Sequence, residues 1–252
     1  MSGSSGGVPK HLEEGGFAVL LIGWLLQGDD WAARPRSWIE GGGCDAWLLQ
    51  GVSRDPVTHA TVWNDELAGD ADAYGETLDR WIGYLEQLEA DAVVEGAVVL
   101  RRRSGARNWF RADRIPPGRP TPANDHVLRV FEANDYLSTT RDDETLLDES
   151  PRLVERVRAH PVLSIGRGGY VVESMTLVLD EGLGFRAGID QNTASLVPFL
   201  DGSRTLREAI GCAAHARGVD DEDLLAFTRG AVALVRTMLE LGFLDRAASH
   251  VR

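Results

Sequence analysis

The side chains best suited to acid–base, nucleophilic or metal chemistry are scattered along this chain. Its six histidines, His11, His59, His126, His160, His215 and His250, include no His-x-x-x-His pair, and Cys44 and Cys212 form no Cys-x-x-Cys. Metal sites draw on regular spacings of that kind, so no metal site is expected. Neither a Gly-x-Ser-x-Gly elbow nor a Walker loop occurs. Gly41-Gly42-Gly43 precedes an apolar run, whereas a phosphate cradle follows a strand and opens a helix. Gly182, Gly184 and Gly188 have the wrong spacing for such a cradle. Both clusters read as turns.

The elements that would have to position any chemistry are clearer. Gly15-Gly16 releases the continuous apolar run Phe17–Leu26, which predicts a strand buried on both faces, as in parallel α/β sheets. The residues before it are Gly/Ser-rich, flexible over 1–7, and supply no strand partner, so the chain reads as beginning in the middle of a fold. Asp29 or Asp30 can cap a short helix carrying Trp31 and Trp38. Cys44–Val52 predicts a second strand, related to the first by a parallel crossover. From Asp55-Pro56 to Leu88 the pattern is helical. Tyr74, Leu78, Trp81, Ile82, Leu85 and Leu88 recur at spacings of three and four, which reads as a core face in preference to a ligand box. Ala92–Leu100 predicts a third strand ending in Arg101-Arg102-Arg103, read as a solvated tip. Ser104-Gly105 suggests a turn, with Asn108–Arg111 returning antiparallel.

Residues 113–124 carry four prolines and no apolar period, marking a linker between domains. Ile115-Pro116-Pro117-Gly118 lies within it. Enzymes that methylate amines grip the substrate with an acidic or amide residue, two prolines and an aromatic. Ile115 and Gly118 fill the polar and aromatic positions here, so this stretch reads as linker. Beyond it the pattern predicts a helix near 125–137 and strands near 161–166, 170–180 and 183–190. Thr205-Leu206-Arg207-Glu208 is a capping box opening a helix. A last helix starts at Asp220, with Leu224, Phe227, Ala231, Val235, Met238 and Leu239 facing inward. Strands followed by three helices suggest a small winged-helix-like module.

Composition narrows the partners. The 252 residues are 43% apolar and 26% charged, with a net charge of −13. That balance disfavours nucleic acid, whose phosphates call for clustered positive charge. No apolar run reaches the roughly 18 residues that span a bilayer, so no membrane association is expected. Two distant cysteines read as free thiols in a reducing, cytoplasmic setting.

Several strings carry a family resemblance: Leu20-Leu21-Ile22-Gly23-Trp24-Leu25, Gly28-Asp29-Asp30-Trp31, Cys44–Gln50 with Asp55-Pro56, Val94–Arg102, and Leu200–Ile210 through Gly242-Phe243-Leu244. Together they resemble the C-terminal portion of an actinobacterial HemK/PrmC-like class I S-adenosylmethionine-dependent methyltransferase of the "methyltransferase small" type. The last strings are also similar to PqqD-like winged-helix modules. The resemblance implies an α/β fold: an incomplete Rossmann-like sheet holding the last three strands (17–112), the linker (113–124), and an α+β winged-helix-like domain (125–252). In the strand order 3-2-1-4-5-7-6, the run 17–26 would be the fifth strand and 44–52 the sixth. The run 92–102 would be the antiparallel seventh, inserted between them.

The family's S-adenosylmethionine loop and its Asn-Pro-Pro-aromatic motif belong to earlier strands. The resemblance therefore implies no catalytic or cofactor-binding residue in this segment, which alone would neither bind S-adenosylmethionine nor methylate. Trp24 and Gln27, at the carboxyl end of the fifth strand, are the candidates for the substrate rim, because ligands of open α/β sheets bind beyond those ends. Packing of Trp24 on Trp31 is the structural alternative. The implied activity of the parent is methylation of an amide or amine nitrogen of protein or nucleic acid. A non-enzymatic protein- or peptide-binding module is the other reading. Under both, the outer edge of strand 17–26 invites self-association.

Overall fold

The computed structural model describes residues 8–105, 107–118, 121–140 and 142–246; the flexible start expected at 1–7 lies outside them. The chain divides into two compact units, Met1–Ile115 and Pro116–Arg252. The protein is mixed α/β, and no helix among the described residues is long and apolar enough to cross a membrane.

In the first unit the order is β1 (Phe17–Leu26), α1 (Ala33–Ile39), β2 (Cys44–Arg54), α2 (Pro56–Trp63), α3 (Ala71–Gln87), β3 (Ala92–Arg102) and β4 (Phe110–Arg114). The sheet runs β1-β3-β2-β4. β3 is antiparallel to both β1 and β2, so those two strands point the same way. β4 departs from the expected return hairpin. It skips β3 and adds to the far side of β2, in parallel register from Ala46↔Phe110 to Gln50↔Arg114. The side of β3 that a hairpin would use is already filled by β2.

Local chemistry explains the helix starts. Asp55 accepts from the Thr58 backbone N–H with Pro56 in the first turn, and Asp70 accepts from the Ala73 N–H. Each satisfies a donor that a helix leaves free at its N-terminus. Gly96 is required by a close approach: a Cβ there would lie 2.1 Å from the Leu49 carbonyl oxygen, beside a bulge between Gln50 and Val52.

The two faces of the sheet differ. On one, Trp24, Ala46, Leu48, Val94, Val98 and Leu100 form a core beneath Trp31, Trp38 and Ile39. On the other, β1 exposes Phe17, Val19 and Leu21, the last at 87%. The expectation of a strand buried on both faces is therefore corrected. Among the described residues β1 is an edge strand whose ladder partner is β3, and its residues alternate between covered and exposed.

The arginine triplet is also not a solvated tip. Arg101 Nη2 lies 2.6 Å from Asp45 Oδ2, Arg103 Nη1 lies 3.5 Å from the same oxygen, and Arg102 donates to the Gly42 carbonyl. Asp45 is wholly buried, and a buried carboxylate draws in cations because an unpaired one is costly.

The second unit contains α4 (Asn124–Thr139), α5 (Asp143–Leu147), β5 (Pro151–Leu153), β6 (Val157–Gly166), β7 (Gly169–Leu179) and β8 (Arg186–Ile189). There follow α6 (Gln191–Ala194), α7 (Leu206–Arg217), α8 (Leu224–Glu240) and β9 (Leu244–Arg246). β6, β7 and β8 form an antiparallel sheet, and β5 pairs with β9. α7 opens on the capping box, both of whose hydrogen bonds form between Thr205 and Glu208. α8 buries Phe227, Ala231, Val235, Met238 and Leu239. Leu224, expected to face inward, is instead 39% exposed, because it occupies the helix's first residue.

His126 joins two turns of this unit. Its Nδ1 accepts from the Leu183 N–H, which leaves the proton on Nε2, 2.9 Å from the Leu241 carbonyl oxygen. Gly182 and Gly242, both at positive φ, lie so close that a Cβ on either would come within 2.6 Å of the imidazole.

Candidate functional site

β1, β2 and β4 point the same way, so their carboxyl ends share one rim of the sheet, where ligands of α/β proteins commonly bind. The two residues expected there take different places. Trp24 is 4% exposed; its Nε1 donates to the Trp31 carbonyl at 2.9 Å, and the two indoles stack at 6.4 Å. It belongs to the core, in the packing on Trp31 that stood as the alternative to a place on the substrate rim. Packing wins because even-numbered β1 residues face α1 and Trp31. Gln27 is exposed, and its Nε2 donates to the Leu88 carbonyl at 2.6 Å, tying the end of β1 to the end of α3. The next backbone N–H, of Gly28, is held by Asp91 Oδ2 at 2.7 Å. Neither candidate lines either cavity of this unit described below.

An open depression of about 700 Å³ does lie at this rim, lined by Asp29, Asp30, Trp31, Ala112, Asp113 and Arg114. Its polar groups are mostly engaged. Asp30 accepts from the Ala32 N–H, and Asp113 accepts from Trp47 Nε1 at 2.7 Å and Arg111 Nε at 2.5 Å. Arg114 donates to Gln50 Oε1 at 2.9 Å and lies 5.7 Å from the Trp31 ring centroid. Among the described residues no group of three or more His, Cys, Asp or Glu is placed to hold a metal ion. The depression offers a flat indole, a guanidinium and the carboxylates of Asp29, Asp30 and Asp113, and its lining holds no histidine, cysteine, serine or lysine.

The sheet's other face carries a different cavity at the same end. Leu25, His59, Trp81, Tyr84, Leu85 and Val93 enclose about 530 Å³, with Arg80 completing the lining. His59 lies between the Trp63 and Trp81 rings, at 6.0 and 5.9 Å. Burial lowers its pKa below 6.5; the Glu95 carboxylate, 3.9 Å away, opposes that shift, and the Arg54 charge adds to it. Burial alone would raise the Glu95 carboxyl. Hydrogen bonds from Arg54 and Trp63, with the Arg54 charge, outweigh it and hold that group below its usual range.

The sequence pattern missed this cavity. Its aromatics on α3 have the period of an ordinary packing stripe, and His59 stands on a separate helix with no motif around it. The only cue was an excess of large rings, Trp63, Tyr74, Trp81 and Tyr84, over two neighbouring helices.

In the second unit a cavity of about 530 Å³ adjoins the start of α8, lined among others by Asp190, Thr193, Arg217, Asp220, Asp223 and Phe227. Part of that lining is structural: Asp190 accepts from the Thr193 N–H and Asp220 from the Asp223 N–H.

Residues 128–246 match the model of a family described only as a domain of unknown function, DUF7782. No curated protein matches the chain.

Proposed function

We propose that this chain is the C-terminal segment of an S-adenosylmethionine-dependent N-methyltransferase that acts on an amide or amine nitrogen of protein or nucleic acid. One observation carries the reading: an antiparallel strand, β3, inserted between two strands that run parallel to each other, β1 and β2. That order supports the reading, because it is the one expected of the 5-7-6 end of a methyltransferase sheet. The outer side of β1, on which no strand pairs among the described residues, is where a fourth strand would dock, and the ten residues of β1 contain neither proline nor charge. Methyl transfer of this kind is direct attack of a positioned nitrogen on the sulfonium methyl, so the rate rests on orientation and electrostatics. The cofactor-binding strands lie outside these residues, and the rim depression contributes positioning. The second unit is read as the winged-helix-like appendage.

The test is calorimetry with S-adenosylmethionine on this chain alone and on a longer product of the same reading frame. Tight binding by the longer product only is expected. Micromolar binding by the 252 residues alone would overturn the reading.

A second reading has its own observation. The hairpin β6–β7 exposes apolar side chains near its tip, with Ile165 at 87% and its cross-strand partner Tyr170 at 77%. Large exposed apolar groups facing one another favour docking of a protein or peptide, without any chemistry. Retention of a partner by an Ile165→Ser, Tyr170→Ser variant would sink it.

A further inference from the structure

Helices α2 and α3 do more than cover the sheet, because the cavity between them and the ends of β1 and β3 stays open. Its inner wall is the apolar cluster of Leu25, Leu85 and Val93. The volume of about 530 Å³ falls in the range of small-molecule sites. Trp81 and the imidazole of His59 add flat surfaces, and burial keeps that imidazole uncharged near neutral pH. Tyr84, 61% exposed, and the exposed Arg80 mark the mouth.

Charge selects among ligands. Arg80 makes one hydrogen bond, from Nη2 to Thr77 Oγ1 at 3.3 Å, and pairs with no carboxylate among the described residues. No acidic side chain lines the cavity. The nearby carboxylate of Glu95 is already taken by Arg54 and Trp63. An ammonium ligand would meet a guanidinium with nothing to neutralise it, whereas an anion would find a donor fork free. Aromatic walls favour a flat ring over a flexible chain, since stacking and edge contacts add to simple area burial.

We propose that this cavity binds a small aromatic carboxylate, its ring against Trp81 and the Leu25–Leu85–Val93 wall and its carboxylate on Arg80. The inference stands apart from methyl transfer, since it uses none of the rim depression's residues.

Indole-3-acetate is the probe, with 3-methylindole as its uncharged counterpart and octanoate as a flexible acid, each titrated calorimetrically into the full chain. Saturable 1:1 binding of indole-3-acetate is expected, and weaker binding of both comparators. Arg80→Met, a change at an exposed position, should cost roughly tenfold in affinity for the acid and leave 3-methylindole unchanged. Methyl-resolved NMR should place the ligand-induced shifts on Leu25, Leu85 and Val93. Absence of saturable binding, shifts confined to other methyls, octanoate binding as tightly as the arylacetate, or an acid affinity indifferent to Arg80 would each overturn it.

Discussion

Arg101 stands directly opposite Asp45 in the β2–β3 register and places its Nη2 2.6 Å from that carboxylate, a side chain with no solvent exposure. The Trp109 N–H also donates to that carboxylate, at 3.2 Å, so one acid on β2 gathers the end of β3 and the approach to β4. Asp45→Ala leaves two guanidinium groups facing each other without their counter-ion. Breaking a buried pair from one side costs about 3–5 kcal/mol; Arg101 retains 12% exposure, which points to the lower end. All seven tryptophans precede residue 116, so urea unfolding followed by tryptophan fluorescence reports on this unit. A midpoint equal to that of the unsubstituted protein would refute the role.

His59 sets a pH dependence. Its folded pKa is depressed by burial from the usual 6.5, so the folded state disfavours the imidazolium that the unfolded chain accepts. The contribution to stability is complete above 6.5 and is lost as pH falls from there toward the folded value. NMR titration of the His59 ring should give a midpoint under 6.5. A midpoint at or above it contradicts the buried, neutral assignment.

The capping box of α7 is a local test. Thr205→Ala removes the acceptor for the Glu208 N–H and should cost about 1 kcal/mol. Hydrogen exchange of the first-turn amides of α7 reads this directly, as a fall in protection of about fivefold. Unchanged exchange would mean that tertiary packing alone holds the helix start.

The open edge of β1 predicts self-association. Leu21 is 87% exposed on a strand that has a ladder partner on one side only among the described residues, and such edges recruit other chains. Light scattering should show mass rising with concentration, and Leu21→Lys should suppress the rise. A monomer at every concentration would show that the edge is protected.

Where a feature depended on neighbours in the chain, the sequence was a good guide. β1 begins and ends where its apolar run does, because Gly15-Gly16 and Gln27-Gly28 bracket it, and the Thr205/Glu208 box forms as its spacing requires. The position of β3 between β1 and β2 was also anticipated, through the resemblance. The failures are long-range. Nothing local says that Arg101 will find Asp45, that Phe110–Arg114 will pair with β2, or that the α3 stripe will stop short of closing over His59. Trp24 is the mixed case: its place at a strand end is legible, and of the two roles that place allows, the packing on Trp31 is the one formed.

The His126 imidazole gives the second unit a practical border. The family match starts at residue 128, two positions past the ring that holds the 182–183 turn to the 241–242 turn. A fragment trimmed to the match would lose this rivet and leave a hole walled by two glycines. A fragment that keeps this link therefore starts upstream of residue 128, at or before the first turn of α4.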